Sequence, residues 1–167
     1  YKYVGIDIGF QNDYTVITTL NEHKEVIAID RFKGVGTKET KERILKAIEG
    51  ENTIGYLELN NQGLPIFDEL VHQYNLHHKL QGFNTTHKSK SDIINGLIKD
   101  FNEENIKVPN NPDLLLELES FIYKVSSTGV LRFEAMSGFH DDMVMSLAIA
   151  NKNHNENKNI SGFAYSF

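Results

Sequence analysis

The sequence contains no cysteine, which excludes disulfide bonds and thiolate metal sites and fits a reducing compartment. It has no apolar run of the ~18 residues that a membrane span needs, and no signal-peptide pattern, so a membrane-bound or secreted protein is not expected. It also lacks the G-x-x-x-x-G-K-[ST] loop of ATP-driven motors. These residues therefore cannot supply a motor activity of that kind.

The chain has fewer basic than acidic residues. The chain has 17 Lys and Arg against 23 Asp and Glu, a formal net charge of −6, and a pI of about 5.6. Proteins that coat nucleic acid usually present a basic footprint, so this charge argues against such a role. It is compatible with an enzyme whose carboxylates hold metal cations, because bound ions reverse the local field.

The length and composition are those of one globular domain, with 167 residues of which 40% are hydrophobic and 24% charged. No repeat or interdomain linker is visible. The chain begins at Tyr1, inside a predicted strand and without Met, which we interpret as a domain taken from a longer protein. We assign residues 1–151 to the folded domain and expect the Asn- and Lys-rich residues 152–167 to form a loosely ordered polar tail.

Three segments near the N-terminus are rich in β-formers and joined by short links, which predicts an antiparallel meander over residues 1–9, 13–22 and 24–34. Helices and strands then alternate. The predicted helices cover 37–50, 64–75, 89–105, 112–125 and 137–151, and the predicted strands cover 52–60, 78–84 and 130–137. The pattern indicates an α/β fold with a mixed central sheet and helices on both faces.

Three acids stand at the ends of apolar segments. Asp7 lies between Ile6 and Ile8, where an ionised carboxylate is costly unless it has a partner or a metal. Glu58 ends an apparently central strand, and Asp142 opens the most apolar helix. Each has a simpler explanation, namely an edge or surface position for the first two and a favourable helix-dipole interaction for the third.

The joint pattern of these acids is more informative than any one of them. In α/β sheets, sites gather at strand ends and helix N-termini. Two Mg²⁺ ions about 3.5–4 Å apart need hard oxygen ligands that converge from several elements. Asp7, Glu58 and Asp142 are therefore candidate catalytic and metal-binding residues. Without metal, such close carboxylates would repel one another, and the pKa of at least one should rise.

Four segments, in this order, resemble the C-terminal nuclease domain of tailed-phage large terminase subunits. They are GIDIGFQNDYT (5–15), YLELNNQG (56–63), TTHKSKS (85–91) and GFHDDMVMSLAIA (138–150). The resemblance runs from Tyr3 to about Asn151. It implies a ribonuclease H-like, resolvase-like fold. It also implies an endonuclease, dependent on two Mg²⁺ or Mn²⁺ ions, that cuts concatemeric viral DNA at packaging.

The resemblance also assigns roles to single residues. The acidic triad of the family falls on Asp7, Glu58 and Asp142, with Asp7 expected to bridge both ions. Further family residues, which could bind through water, tune the site or orient a carboxylate, match Asp13, Asp141 and His140. A turn position for Asp13 and a capping or packing role for His140 are the alternatives.

The segment before the third predicted helix is the most basic part of the chain. We expect Thr86, Lys88, Ser89 and Lys90 to bind backbone phosphates beside a helix N-terminus, which is itself an anion site. Such contacts do not read bases, so little sequence specificity is expected. The alternative is a solvated surface segment.

The implied partners are double-stranded DNA, an ATPase domain that precedes Tyr1 in the full-length protein, the portal and the small terminase subunit. The implied location is the host cell cytoplasm, with no membrane contact. Two alternatives stay open: another ribonuclease H-like nuclease, such as a ribonuclease H or Holliday junction resolvase, and a non-catalytic DNA- or portal-docking module. GIDIG alone also resembles the phosphate-binding strand of actin-like ATPases, but that fold needs two such domains and a second phosphate loop, and 167 residues are too few.

Overall fold

The computed structural model describes residues 1–60, 62–125, 131–135 and 140–159. The strands in these ranges are β1 (Lys2–Asp7), β2 (Thr15–Asn21), β3 (Val26–Phe32), β4 (Thr53–Glu58), β5 (Leu80–Phe83), β6 (Phe121–Val125) and β7 (Leu131–Ala135). The helices are α1 (Thr37–Ala47), α2 (Gly63–Tyr74), α3 (His87–Asn102), α4 (Pro112–Ser120) and α5 (Asp142–Asn157). None of these helices is long and apolar enough to cross a membrane.

Five strands form one mixed sheet in the order β3-β2-β1-β4-β5. Strands β1, β2 and β3 pair antiparallel, whereas β4 is parallel to β1 and β5 is parallel to β4. Strand β1 is central, and all of its residues except Lys2 are buried. The predicted meander and mixed sheet are confirmed.

The side chains of β1 alternate between two hydrophobic cores. Val4 and Ile6 belong to the core beneath α1 and α2, whereas Tyr3 belongs to the core beneath α3, α4 and α5. Because side chains alternate along a strand, Asp7 lies on the same face as Tyr3. Helices cover both faces of the sheet, as predicted, and Asp7 points to the face that α5 occupies.

Helix α5 packs directly against the backbone of β1. A Cβ atom added to Gly5 would overlap the carbonyl oxygen of Ser146 and the amide nitrogen of Ala150. The Ser146 hydroxyl donates a hydrogen bond to the Gly5 carbonyl oxygen at 2.9 Å. Farther along α5, the Asn153 amide donates to the carbonyl oxygens of Val4 and Ile54, at 3.0 and 2.8 Å. These contacts fix α5 across β1 and β4.

The predicted helix over 112–125 is wrong for its last five residues. Helix α4 ends at Ser120, and residues 121–125 form β6, which pairs antiparallel with β7 in a separate two-stranded sheet. The segment FIYKV is rich in β-formers, and pairing with β7 satisfies its backbone in a way that helical periodicity does not reveal. The strand predicted over 130–137 is confirmed for 131–135, and residues 136–139 lie outside the described ranges.

The predicted polar tail also begins later than expected. Helix α5 starts at Asp142 and continues to Asn157, so residues 152–157 belong to the folded domain. Three of their polar side chains, Asn153, His154 and Asn157, are buried and find partners there: Asn153 binds the sheet, as described above, His154 Nε2 lies 2.8 Å from the Glu22 carbonyl oxygen, and the Asn157 amide donates to the Asn153 carbonyl oxygen at 3.0 Å. Residues 160–167 of the predicted tail lie outside the described ranges.

The close approach of α5 to β1 predicts a strong effect of one methyl group. We expect Gly5→Ala to lower the free energy of unfolding by about 3 kcal/mol or more, since the new atom meets helix backbone that cannot move aside. The matched control is Gly96→Ala in α3, where an added Cβ meets nothing within 4 Å. This change should stabilise the domain by roughly 0.5–1 kcal/mol.

Urea denaturation of both variants measures these differences. A Gly5→Ala protein as stable as the Gly96→Ala protein would contradict the packing of α5 on β1.

Candidate active site

The three predicted acids converge at one edge of the sheet. Strands β1 and β4 are parallel, with Ile6 opposite Leu57, so the next residues, Asp7 and Glu58, emerge together at the carboxyl ends of the two strands. Asp142 is the first residue of α5, which lies over β1. Asp7 and Asp142 are only 8% and 9% exposed, whereas Glu58 is half-buried. The site is thus partly withdrawn from water.

The electrostatics of Asp7 show how close these acids are. Burial raises the pKa of Asp7 well above its ordinary value, and a hydrogen bond to Glu58 and the negative charge of Glu58 raise it further. The charges of Asp142 and Asp141 act in the same direction. A hydrogen bond between two carboxyl groups requires a proton on one of them. The expectation that close carboxylates raise a pKa is confirmed.

Asp142 is held by the segment that links β1 to β2 and by the residues just before α5. The backbone N–H of Tyr14 donates to Asp142 Oδ2 at 3.3 Å, and His140 Nδ1 lies 3.6 Å from the same oxygen. Burial and then the charge of Asp141 raise the pKa of Asp142 to about 6, while the bond from Tyr14 acts in the opposite direction. The rings of Tyr14 and His140 meet edge-on with centroids 5.4 Å apart. Asp142 is therefore oriented from two sides.

The remaining predicted acids lie around this group. Asp141 is about one-third exposed and forms an ion pair with Lys90, whose Nζ lies 3.2 Å from Asp141 Oδ2. Asp13 is exposed, and its charge contributes to the raised pKa of Asp142. The structure thus brings the secondary residues to the triad, and it adds Lys90 from α3 as a compensating positive charge.

The predicted phosphate-binding segment forms the start of α3 beside the acids. Thr86 Oγ1 accepts from the Ser89 backbone N–H at 3.1 Å, and Ser89 Oγ accepts from the Thr86 N–H at 2.7 Å, which is a capping box. These two hydroxyls therefore have a local role in starting the helix. Lys88 is exposed in the first turn.

Two residues that the sequence analysis did not single out also shape the site. The Asn60 amide lies 3.4 Å from Glu58 Oε1 and 3.2 Å from the Thr85 carbonyl oxygen, so it connects the end of β4 to the segment before α3. Glu117 of α4 accepts hydrogen bonds from two backbone amides in the first turn of α5. The only local signal for Glu117 is an acid within the apolar pattern of LLLELES, which predicts an amphipathic helix rather than a buried carboxylate.

Within the described ranges, no three His, Asp or Glu side chains could hold a metal ion as they stand. The donor set nevertheless fits a hard divalent cation, because carboxylate oxygens are the ligands that Mg²⁺ and Mn²⁺ prefer. Burial and repulsion between the acids together raise the pKa values of Asp7 and Asp142, and a cation would relieve the repulsion. Because metal ligands must be deprotonated, binding would also favour the ionised form of Asp7, whose pKa is raised in the metal-free site.

The strand order, with acids at the carboxyl ends of the neighbouring strands β1 and β4, defines a mixed α/β fold of the ribonuclease H-like type.

No family model matches the sequence. The chain is 27% identical over 154 residues to the terminase large subunit of Thermus virus P23-45, and 29% identical over 154 residues to that of Thermus phage G20c. Each match covers 88% of this chain and 30% of the relative.

Solved structures agree with the sequence comparison. The large terminase nuclease from thermophilic phage G20c superposes with a TM-score of 0.81 at 25% identity, over 90% of this chain and 81% of that one. A structure of that nuclease with bound cobalt gives a TM-score of 0.80 at 26% identity, over 90% and 80% of the two chains. A third, with bound magnesium, gives 0.81 at 23% identity over the same shares and supports the fold. The predicted resemblance to the nuclease domain of phage large terminase subunits is confirmed.

The raised pKa of Asp142 predicts how the stability of the metal-free domain depends on pH. The folded state retains a proton up to pH about 6, whereas the unfolded chain loses it near 3.8. The contribution of Asp142 to stability is therefore present below pH 4 and falls as the pH rises to 6. By linkage, about 3 kcal/mol is lost over this window.

We expect Asp142→Asn to remove this loss, so that its stability relative to the native sequence grows by about 2–3 kcal/mol between pH 4 and pH 7. Urea denaturation in the presence of a chelator measures the difference, with the exposed Asp68→Asn as the control. Parallel pH profiles for the native and Asp142→Asn proteins would contradict the assignment.

Proposed function

We propose that this chain is the nuclease domain of a phage large terminase subunit and that it cuts concatenated double-stranded viral DNA during genome packaging. The observation that carries the proposal is the convergence of Asp7, Glu58 and Asp142 at one sheet edge, where two of them have raised pKa values. The similarity to terminase nucleases, one of them solved with cobalt, supports it.

In this proposal, Asp7, Glu58 and Asp142 would hold two divalent ions, Mg²⁺ or Mn²⁺. When bound, the ions would lower the pKa of an attacking water and neutralise charge that builds on the phosphate and on the departing 3′ oxygen. The separation of the three acids onto two strands and a helix supports this division of ligands. The raised pKa values support it as well, because they indicate carboxylates that no cation among the described residues neutralises in full.

The chain's own residues would orient the ligands and the DNA. The Tyr14 N–H fixes one oxygen of Asp142, and His140 lies beside the same oxygen. Lys90 partly neutralises Asp141. Lys88, exposed at the start of α3, would bind a backbone phosphate together with the helix N-terminus. Phosphate contacts do not discriminate between bases, so cleavage with little sequence specificity is expected.

The proposal also names partners. The chain spans 30% of the curated relatives that it matches, which are terminase large subunits. We propose that it works with an ATPase domain of the same full-length protein, with the portal and with the small terminase subunit, in the host cell cytoplasm. Lys88 is exposed two residues before Lys90, which pairs with Asp141, and this position supports contact with DNA. The other partners follow from the proposed family.

Another ribonuclease H-like nuclease and a docking module are the alternatives from the sequence, and a comparison of substrates separates them. Purified protein should be given linear duplex DNA, an RNA–DNA hybrid and a four-way junction of equal length, each with Mg²⁺ and with Mn²⁺. The proposal predicts cleavage of the duplex. Preference for the hybrid or the junction would instead indicate a ribonuclease H or a resolvase, and a lack of cleavage of all three would favour a docking module.

Replacing Asp7 tests the site most simply. We expect Asp7→Asn to leave the domain folded and to reduce plasmid nicking by about 1,000-fold or more, because metal-assisted charge stabilisation contributes several kcal/mol. Thermal denaturation should show that Mn²⁺ stabilises the native protein and no longer stabilises the variant, since a ligand of the folded state alone raises its stability.

The exposed Asp68→Asn serves as the matched control and should retain both nicking and the response to Mn²⁺. Substantial nicking by purified Asp7→Asn protein would remove Asp7 from the chemistry.

A further inference from the structure

A buried carboxylate outside the triad contacts the start of α5. Glu117 of α4 is 4% exposed, and its Oε2 accepts hydrogen bonds from the backbone N–H groups of Met143 and Val144, at 2.8 and 3.1 Å. These amides belong to the two residues that directly follow Asp142. Burial raises the pKa of Glu117, and the two bonds act against that rise.

Helix α5 has no side-chain cap of its own. The N-cap residue, Asp141, makes no capping hydrogen bond, and its backbone carbonyl accepts from the Met145 N–H at 2.9 Å. The first amides of a helix have no intrahelical acceptor and must find one elsewhere. Glu117 supplies that acceptor from another helix, and its negative charge lies at the positive end of the α5 dipole.

We propose that Glu117 is a positioning residue that fixes Asp142 in the candidate active site. The other polar anchors of α5 described above, Ser146 and Asn153, bind the sheet one turn or more beyond the helix start. They hold the body of α5, whereas the two bonds to Glu117 hold the backbone of the first turn, which carries Asp142; the Tyr14 N–H contacts only the Asp142 side chain. The inference rests on the proposed function only for its effect on metal binding.

The geometry indicates that reach, rather than charge, is the essential property of Glu117. One oxygen, Oε2, accepts both bonds, and the other, Oε1, is buried without a hydrogen-bond partner within the described residues. A Gln side chain can place its carbonyl oxygen at the Oε2 position and keep both bonds. An Asp side chain keeps the charge but is shorter by one methylene and cannot reach both amides.

The experiment therefore compares Glu117→Gln with Glu117→Asp, with Glu119→Gln and Glu119→Asp as controls at an exposed acid of the same helix. Hydrogen exchange in metal-free protein, resolved by residue, is the first readout. In Glu117→Asp, the Met143 and Val144 amides should exchange about tenfold faster, since each loses a bond to a charged acceptor. In Glu117→Gln they should keep their protection, and Ala150 should be unchanged in both.

Affinity for Mn²⁺ is the second readout. Glu117→Asp should weaken it by about tenfold or more, as substitutions that disturb the orientation of metal ligands typically do. Glu117→Gln should remain within about threefold of the native protein, because its shape restores the bond while its charge is lost. Both Glu119 variants should match the native protein.

Two results would overturn the proposal. One is unchanged exchange at Met143 and Val144 in Glu117→Asp; the other is a Gln variant that loses protection there while the Asp variant keeps it, which would assign the role to charge. If Glu117→Asp does not fold, Glu117→Leu, which removes the acceptor, replaces it: loss of protection at these amides is expected, and unchanged exchange would overturn the proposal. If the native protein binds no Mn²⁺, the proposed function fails, and the exchange pattern still decides the role of Glu117.

Discussion

The direct packing of α5 on the backbone of β1 is the constraint on which the candidate site depends. Gly5 leaves no room for a side chain between strand and helix, and Ser146 binds the Gly5 carbonyl oxygen across that contact. The first residue of α5 is thereby brought to the end of β1. Without this approach, Asp142 would not reach Asp7, whose pKa its charge raises.

Buried acids near the two ends of α5 have pKa values shifted in opposite directions. Toward its C-terminal half, Asp100 of α3 pairs with Lys24 at 2.7 Å and accepts from the Asn151 amide at 2.7 Å, and these contacts lower its pKa although burial acts to raise it. At the N-terminal end, burial and then the neighbouring carboxylates raise the pKa values of Asp7 and Asp142. The same fold therefore neutralises one buried acid internally and leaves the cluster at the sheet edge with excess negative charge.

The lack of compensating positive charge around Asp7, within the part of the chain that the structure describes, supports the proposal that the carboxylate cluster binds a cation. A buried acid that serves structure alone is normally paired, because an unpaired buried charge is costly. Among the described residues, Asp7 forms no ion pair with a cationic side chain, and its hydrogen-bonded partner is another acid, Glu58. A cation from solution would remove this repulsion, and the relation of the chain to terminase nucleases makes a divalent metal the natural candidate.

Much of the site could be predicted because its acids interrupt apolar segments. Asp7 between two isoleucines and Glu58 at the end of a buried strand conflict with local hydrophobicity, and such conflicts are visible without coordinates. Glu117 could not be found in this way, since one acid per turn is normal in an amphipathic helix and its partners are backbone amides 26 and 27 positions away. Asn153 was assigned to a loose tail because its buried role depends on the sheet carbonyls that it meets.

Anomalous diffraction from a crystal soaked in Mn²⁺ tests the central claim most directly. The account predicts two peaks about 3.5–4 Å apart, enclosed by Asp7, Glu58 and Asp142, with a carboxylate oxygen of Asp7 in contact with both. The absence of any peak among these three side chains at saturating Mn²⁺ would contradict it.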